Sequence, residues 1–116
     1  MLEVPKNIAV WLNDPLTAKT ASGAKPVQSL GRYSKPLMQQ PWQAYRIKDT
    51  HKGPQVWEVK YAPCWLPRAG GVVGPYWLIV ARNVLNRDEV KYFISNAGAG
   101  VPLSVLLHVA FSRWSV

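Results

Sequence analysis

The acids of this chain limit the chemistry it could perform. Phosphoryl transfer on nucleic acids commonly uses a cluster of carboxylates that holds two metal ions. Asp14 precedes a proline and Asp49 lies in a predicted hairpin loop, and both positions suit turns. Glu58 is predicted on the solvent face of a strand. The six carboxylates are spread along the sequence: Glu3, Asp14, Asp49, Glu58, Asp88 and Glu89. This spacing predicts no metal site.

The other reactive side chains are equally scattered. Cys64 is the single cysteine, so it can form no disulfide within the chain and lacks the companions of a metal site. His51 is predicted in a loop and His108 on a helix, where a lone histidine is more often a packing residue than a catalyst. No serine has a base placed beside it, so a nucleophilic triad is unsupported.

Cations and aromatic rings alternate over residues 42–66, and this pattern is the strongest chemical signal in the sequence. Cations can pair with phosphates while aromatic rings stack on bases. Strand alternation places Trp57 and Tyr61 on the face opposite Lys60, which favours a core role for these two rings. The cations are Arg46, Lys48, Lys52 and Lys60, with Trp42, Tyr45 and Trp57 near them. The alternative is a solvated basic face whose aromatic residues all point into the core.

Composition supports a polyanion as the partner. The chain has 116 residues, with 14 Lys and Arg against 6 Asp and Glu, a formal net charge of +8. Such an excess favours nucleic acid first and an anionic membrane surface second, although a basic surface can also serve solubility. Hydrophobic residues make up 48% of the chain, enough for the core of one domain.

The N-terminal sequence bears on the compartment. Glu3 and Pro5 stand where a signal peptide would need a basic start and an uninterrupted apolar run. The apolar stretches fall short of the roughly 18 residues that would span a bilayer. Together with the single cysteine, these features predict a cytoplasmic protein with no membrane partner.

The first half of the chain is predicted to be extended and rich in loops. Ile8, Val10 and Leu12 alternate on one face, which predicts a strand over residues 1–12. Residues 13–41 hold four prolines, two glycines and several Ser, Thr and Lys residues, a pattern typical of a long basic loop. Residues 42–66 read as a β-hairpin with a loop at its centre.

The second half is predicted to contain one strand and two helices, within residues 75–116. The run PYWLIVAR fits a strand buried on both faces. Asn86 as N-cap, with Glu89 three residues later and an apolar stripe, predicts a helix that ends near Gly98. A final helix should begin at Pro102, with an apolar face formed by Leu103, Leu106, Leu107, Ala110, Phe111 and Trp114. The fold class is therefore α/β with a β-rich middle.

Three stretches of this chain resemble bacterial insertion-sequence transposases of the DDE type, and they occur in the order seen in that family. They are LEVPKNIAVWL, KGPQVWEVKYAPCWLP and YWLIVARNVLNRDEVKYFISNAGAGVPLSVLLHVAFSRW. The resemblance covers most of the chain and is weakest in residues 13–41. It implies an RNase H-like catalytic domain, with a β-rich insertion between its second catalytic aspartate and its catalytic glutamate. This chain would be that insertion with its flanks.

The resemblance also implies where the catalytic acids lie. The family's late-helix signature has an arginine, usually followed by tryptophan, and the glutamate four residues after the arginine. Arg113 and Trp114 match, Ala110 replaces the family's tyrosine, and the glutamate would fall directly after Val116. Both aspartates would precede Met1. The Mg²⁺ site of the family would then lie outside this chain, while Arg113 carries over as a candidate contact to DNA phosphate.

We therefore expect a single partial domain, a fragment of a DDE transposase that binds transposon DNA weakly and has no catalytic activity or cofactor of its own. The candidate DNA contacts are Arg113, Arg46, Lys48, Lys52 and Lys60. Arg113 could equally be the solvent edge of a buried helix. Two alternatives remain: a stand-alone β-rich nucleic-acid-binding module, and an interaction subunit that docks through its C-terminal helix. The apolar face of that helix is also an expected site of self-association.

Overall fold

The computed structural model describes residues 2–13, 15, 23–47, 55–68, 71–96 and 105. Within these residues the chain forms seven strands and two helices. The strands are β1 (Leu2–Val4), β2 (Ala9–Val10), β3 (Lys25–Pro26), β4 (Gln43–Ile47), β5 (Gln55–Arg68), β6 (Gly71–Asn83) and β7 (Val90–Ser95), and the helices are α1 (Val27–Tyr33) and α2 (Lys35–Met38).

A five-stranded antiparallel sheet organises the described part of the chain, in the order β1-β7-β6-β5-β4. β5 and β6 form its long central hairpin, in which Val59 is paired with Ala81. β4 adds to this hairpin on one side, which confirms the hairpin predicted over residues 42–66. β7 adds on the other side, and β1 then pairs Leu2 with Ile94.

The two helices cover one face of this sheet. Val27 and Leu30 of α1 and Leu37 of α2 are buried. Ser34 separates the helices, because its extended backbone ends α1 while its N–H bonds to the Leu30 carbonyl oxygen at 3.0 Å. Pro36 lies in the first turn of α2, where a backbone N–H has no helical partner to lose. Burying a leucine such as Leu37 stabilises the fold by about 1.5–3 kcal/mol.

The even-numbered side chains of the central strands face these helices, since successive residues of a strand point to opposite faces. Gly31 of α1 lies against them, because a Cβ there would be 3.8 Å from Tyr92 Cε1 and 3.9 Å from Val80. The core on this face is formed by Val4, Val10, Val27, Leu30, Leu37, Ala62, Cys64, Leu66, Leu78, Val80, Tyr92 and Ile94.

The odd-numbered side chains of the central strands are buried as well. Val59, Ile79 and Ala81 are each 0% exposed, Trp57 is 2% exposed and Phe93 is 3% exposed. Consecutive residues of β6 are therefore buried on alternate faces. This confirms the predicted two-sided burial for residues 78–81 of the run PYWLIVAR, whereas Pro75 is exposed and the other residues of the run are half-buried.

The far end of the central hairpin is shaped by a bulge and a glycine. The register of β5 shifts between Cys64 and Leu66, and Trp65 pairs with Trp11 through N–H···O bonds of 2.9 and 2.8 Å. Gly74 has φ +150°, and a Cβ there would lie 2.6 Å from Trp65 Cδ1 and 2.9 Å from the Cys64 carbonyl oxygen. Glycine is required at this position for both reasons.

The prediction of a loop over residues 13–41 is wrong for its second half, which contains β3, α1 and α2. Its prolines do not prevent helices, because Pro26 is the N-cap of α1 and Pro36 lies in the first turn of α2. The three buried side chains of these short helices are too few to show a sustained period. Packing against the sheet, rather than intrinsic propensity, stabilises them.

The helix predicted between Asn86 and Gly98 is also wrong, because Val90–Ser95 is strand β7. Asn86 caps a turn instead: its Oδ1 accepts the Asp88 N–H at 3.3 Å, and its carbonyl oxygen accepts the Glu89 N–H at 3.0 Å. The apolar residues fit a helical stripe and a strand buried on both faces equally well. Residues 90–95 form a strand because they pair with β6 and because β-branched and aromatic residues favour strands.

Two further predicted elements differ from the structure or lie outside it. The strand predicted over residues 1–12 is divided by a turn, in which the Ile8 N–H bonds to the Pro5 carbonyl oxygen at 3.2 Å. The final helix lies outside the described residues except for Val105, which is helical and exposed. No helix among the described residues is long and apolar enough to cross a membrane.

Candidate nucleic-acid interface

Two of the five predicted DNA contacts, Arg46 and Lys60, lie on the helix-bearing face of the β4–β5 hairpin. Arg46 pairs with Val56 across the hairpin and is exposed, and Lys60 is 9% exposed. Both are even-numbered residues of adjacent strands, so they share a face. The other three predicted contacts, Lys48, Lys52 and Arg113, lie outside the described residues.

Trp42, directly before β4, brings two cations together. The Nζ atom of Lys60 lies 4.5 Å from the centre of the Trp42 ring, and the guanidinium carbon of Arg82 lies 4.1 Å from it. Contacts of this kind contribute about 0.5–1 kcal/mol at exposed sites and about 2 kcal/mol when desolvated. The contact with Lys60 agrees with the sequence pattern, which predicted Trp42 near the hairpin cations.

The position of Trp42 follows from a side chain two residues earlier. The Gln40 amide bonds to the backbone of Tyr61: its Nε2 donates to the carbonyl oxygen at 2.7 Å, and its Oε1 accepts the N–H at 2.8 Å. Gln40 thus takes the place of a strand residue beside β5, just before β4 begins. This anchor holds the segment that carries Trp42 against the sheet.

Glu58 is the acid of this cluster and forms an ion pair with Arg82. The two residues are register partners on β5 and β6, and their side chains are 17% and 23% exposed, respectively. The prediction that Glu58 lies on a solvent face of its strand is therefore wrong. We refer to Trp42, Glu58, Lys60 and Arg82 as the Trp42 cluster.

The charges of the Trp42 cluster favour the binding of an anion. Burial lowers the pKa of Lys60, and the neighbouring charge of Arg82 lowers it further. Both causes disfavour the protonated amine, so an added negative charge nearby would be stabilised. One acid against two cations leaves a net positive charge, and Arg46 on the same face adds to it.

Helix α1 brings a further cation to this face of the sheet. Arg32 is exposed in the last turn of α1. It lies close enough to Tyr92 to affect its ionisation: burial raises the pKa of the Tyr92 hydroxyl, and the positive charge of Arg32 partly offsets this rise. The helix-bearing face therefore carries cations from both the helices and the sheet.

The aromatic residues of the hairpin divide between the two faces. Tyr45 and Trp57 are register partners on the opposite face from Lys60, and Trp57 is buried as predicted. Tyr61 is half-buried and makes an edge-to-face contact with Trp77, with ring centres 5.6 Å apart. Of the aromatic residues named for base stacking, Trp42 is the one on the basic face.

Three of the four described acids have separate partners. Glu58 pairs with Arg82, Glu3 lies 3.9 Å from Lys91, and Glu89 accepts a hydrogen bond from Asn83 at 3.1 Å. Among the described residues, no three His, Cys, Asp or Glu side chains are grouped closely enough to hold a metal ion. Asp88 and Glu89 lie in the β6–β7 loop rather than in the predicted first turn of a helix. Asp14, Asp49, His51 and His108 lie outside the described residues.

Cys64 is buried, with 0% exposure. Burial raises the pKa of its thiol to about 12, so the thiol is protonated at neutral pH and is a poor nucleophile. The residue belongs to the core on the helix-bearing face.

Arg82 is the cation of the Trp42 cluster that the sequence pattern did not indicate. It closes the apolar run PYWLIVAR, which was interpreted as core. The signal that could have found it is the register between β5 and β6, because this register places Arg82 opposite Glu58. That register depends on the bulge between Cys64 and Leu66, which local sequence does not reveal.

Comparisons with known protein families, with curated proteins and with solved structures found no significant match to this chain.

Proposed function

We propose that this chain is the β-rich region of a DDE-type transposase and contributes DNA binding to transposition, without catalytic activity of its own. The proposal combines the sequence resemblance with one structural observation, the contact of Lys60 and Arg82 with Trp42 on a chain of net charge +8. Its partner is the DNA of transposon ends. Mg²⁺ belongs to the complete enzyme, and the protein acts in the cytoplasm.

The chemistry of the Trp42 cluster suits phosphate rather than bases. Arginine and lysine neutralise phosphates and release condensed counterions, which makes affinity salt-dependent and largely independent of sequence. The Trp42 ring is already in contact with two cations and fixes their positions. The exposed Arg46 and Arg32 extend the same surface from the sheet and from α1.

Fluorescence anisotropy with a labelled DNA duplex, repeated over a range of salt concentrations, tests this proposal. We expect the logarithm of the affinity to fall linearly with the logarithm of the salt concentration. Arg46→Gln and Lys60→Met should each weaken binding and reduce that slope by about 1, the change expected for one phosphate contact. Arg68→Gln is the matched control, since Arg68 lies eight residues beyond Lys60 on β5, roughly 26 Å away at the rise of a strand.

Equal loss of affinity in Arg68→Gln and Lys60→Met would show that only overall charge matters and would refute the role of the Trp42 cluster. Absence of duplex binding at low salt would refute the DNA-binding proposal altogether. A stable complex with another protein, in the absence of DNA binding, would favour the interaction subunit. An incubation of supercoiled plasmid with Mg²⁺ should give no nicking, because the described acids do not converge.

A further inference from the structure

A pocket of about 400 Å³ lies on the helix-bearing face of the five-stranded sheet, near the end of β5 that is farther from the Trp42 cluster. Its floor is apolar and is formed by Val4 of β1, Leu66 of β5 and Ile94 of β7, which are 7%, 6% and 8% exposed, respectively. The start of β2 forms one wall. Pockets of 300–1,000 Å³ with apolar lining and a few polar groups are typical of small-molecule sites.

Three of the residues that line this pocket have polar side chains: Arg68, Tyr76 and Asn96. Arg68 and Asn96 are exposed, and Tyr76 is half-buried. No carboxylate in the described ranges pairs with Arg68. The lining therefore combines an arginine, which can bind an anion, with a tyrosine, an asparagine and buried apolar residues.

We propose that this pocket binds a small organic acid, a single carboxylate on a compact apolar body. The carboxylate accepts hydrogen bonds from Arg68, whose planar guanidinium can donate two in parallel. The apolar body lies on Val4, Leu66 and Ile94 and removes them from water. The volume holds about a dozen non-hydrogen atoms, at roughly 30 Å³ for each water-sized group.

This site is separate from the Trp42 cluster. Arg68 lies on β5 eight residues beyond Lys60, and no residue of the Trp42 cluster lines the pocket. The inference does not depend on DNA binding, and either proposal can fail while the other stands.

The test is a titration of the full chain with 3-phenylpropionate, followed by backbone amide shifts in two-dimensional NMR. The matched neutral probe is 3-phenylpropanol, which has the same apolar body without the charge. We expect saturable shifts at Arg68, Asn96 and Ile94 with the acid, and binding of the alcohol at least tenfold weaker. Arg68→Gln should weaken binding of the acid by about tenfold or more, the factor expected for a lost charge-assisted hydrogen bond. Arg87→Gln, an exposed arginine in the β6–β7 loop, removes the same charge and should bind as the unaltered chain does.

Three outcomes would overturn the proposal: no saturable shift, equal affinity for the acid and the alcohol, or equal effects of Arg68→Gln and Arg87→Gln. Shifts that cluster away from the pocket lining would also overturn it. The amide spectrum of each variant without ligand reports its folding, so a loss of binding through unfolding is recognised directly. Arg68→Lys keeps the charge but loses the planar fork, and should fall between Arg68→Gln and the unaltered chain.

Discussion

The guanidinium of Arg82 contacts the ring of Trp42, with 4.1 Å between its central carbon and the ring centre. The same guanidinium is in an ion pair with Glu58 on the neighbouring strand. Arg82 is thus held between an aromatic ring and an acid, and its Nε atom is buried with no hydrogen-bond partner. An approaching phosphate would have to compete with Glu58 for this side chain.

Glu58→Gln should therefore strengthen DNA binding while weakening the fold. The variant removes the acid from the Trp42 cluster, so the salt slope of duplex binding should steepen by about 1. Loss of a partly buried ion pair should lower the free energy of unfolding by about 1–2 kcal/mol. Anisotropy titrations and urea unfolding measure the two effects.

Glu3→Gln is the matched control for this prediction. It changes the net charge equally but lies on β1, at the far edge of the sheet, where Glu3 is 3.9 Å from Lys91 and about half exposed. It should leave the salt slope nearly unchanged. If Glu3→Gln and Glu58→Gln strengthened binding equally, the local competition between Glu58 and phosphate would be refuted.

Leu37→Ala should test whether α2 is part of the core. Leu37 is 0% exposed, and its removal should lower the free energy of unfolding by about 2–5 kcal/mol, the range for buried leucines. Met38→Ala, at a neighbouring position of the same helix with 55% exposure, should change it by less than about 0.5 kcal/mol. Similar values for the two variants would mean that α2 does not pack as described.

Two glycines of β6 should differ in their tolerance of alanine. Gly71 and Gly74 both have φ values that L-residues rarely adopt, +155° and +150°, but only Gly74 has atoms in the way of a Cβ. Gly71→Ala should lower the free energy of unfolding by about 1 kcal/mol through backbone strain. Gly74→Ala should lower it by roughly 2–4 kcal/mol, because the Cβ would also collide with the Cys64 carbonyl oxygen. Chemical unfolding of both variants measures the difference, and the reverse order would contradict the described packing.

Cys64 should make stability fall at alkaline pH. In the unfolded chain its thiol has its ordinary pKa of 9.0, whereas burial raises the folded value to about 12. Between these values the unfolded chain has lost the proton and the folded chain has kept it, so rising pH favours unfolding. Below pH 9 the stability gained by burying the protonated thiol is fully present, and it declines as the pH rises toward 12.

Comparison with Cys64→Ala isolates this effect from the other groups that titrate at high pH. The variant should be less stable at pH 7, and the gap should narrow as the pH rises from 9 toward 12. A thiol reagent provides a second measurement, since modification of Cys64 should occur only at the rate of unfolding. Rapid modification of the folded chain would contradict its burial.

The sequence was sufficient to predict the strands in which the apolar residues, either alternating or in a continuous run, are compatible with only one type of secondary structure. The β4–β5 hairpin and the two-sided burial of β6 are of this kind. β7 was mistaken for a helix because Val90, Phe93 and Ile94 suit both periods, and only pairing with β6 distinguishes them. α1 and α2 were missed because short helices owe their stability to the sheet beneath them, which no local pattern contains.

The part of the candidate interface that lies within the β4–β5 hairpin could be predicted from the sequence. Lys60 and Trp42 belong to one predicted hairpin, so their proximity could be inferred. Arg82 comes from a third strand, and its place beside Trp42 depends on a register set by a bulge. Glu58 was predicted to face solvent because its partner, Arg82, is on β6. The pairing of β5 with β6 brings the two residues together, and local sequence does not show this pairing.

The pairing of β1 with β7 joins residues separated by about 90 positions of the chain, as in Leu2 with Ile94. Ribosomes add roughly 5–20 residues per second, so β1 is made about 5–20 s before its partner exists. During that interval its backbone groups are satisfied by water, while the β5–β6 hairpin, whose contacts are local, can already form. Completion of the sheet by β1 is therefore the last step that synthesis permits, although β1 is made before the four other strands of this sheet.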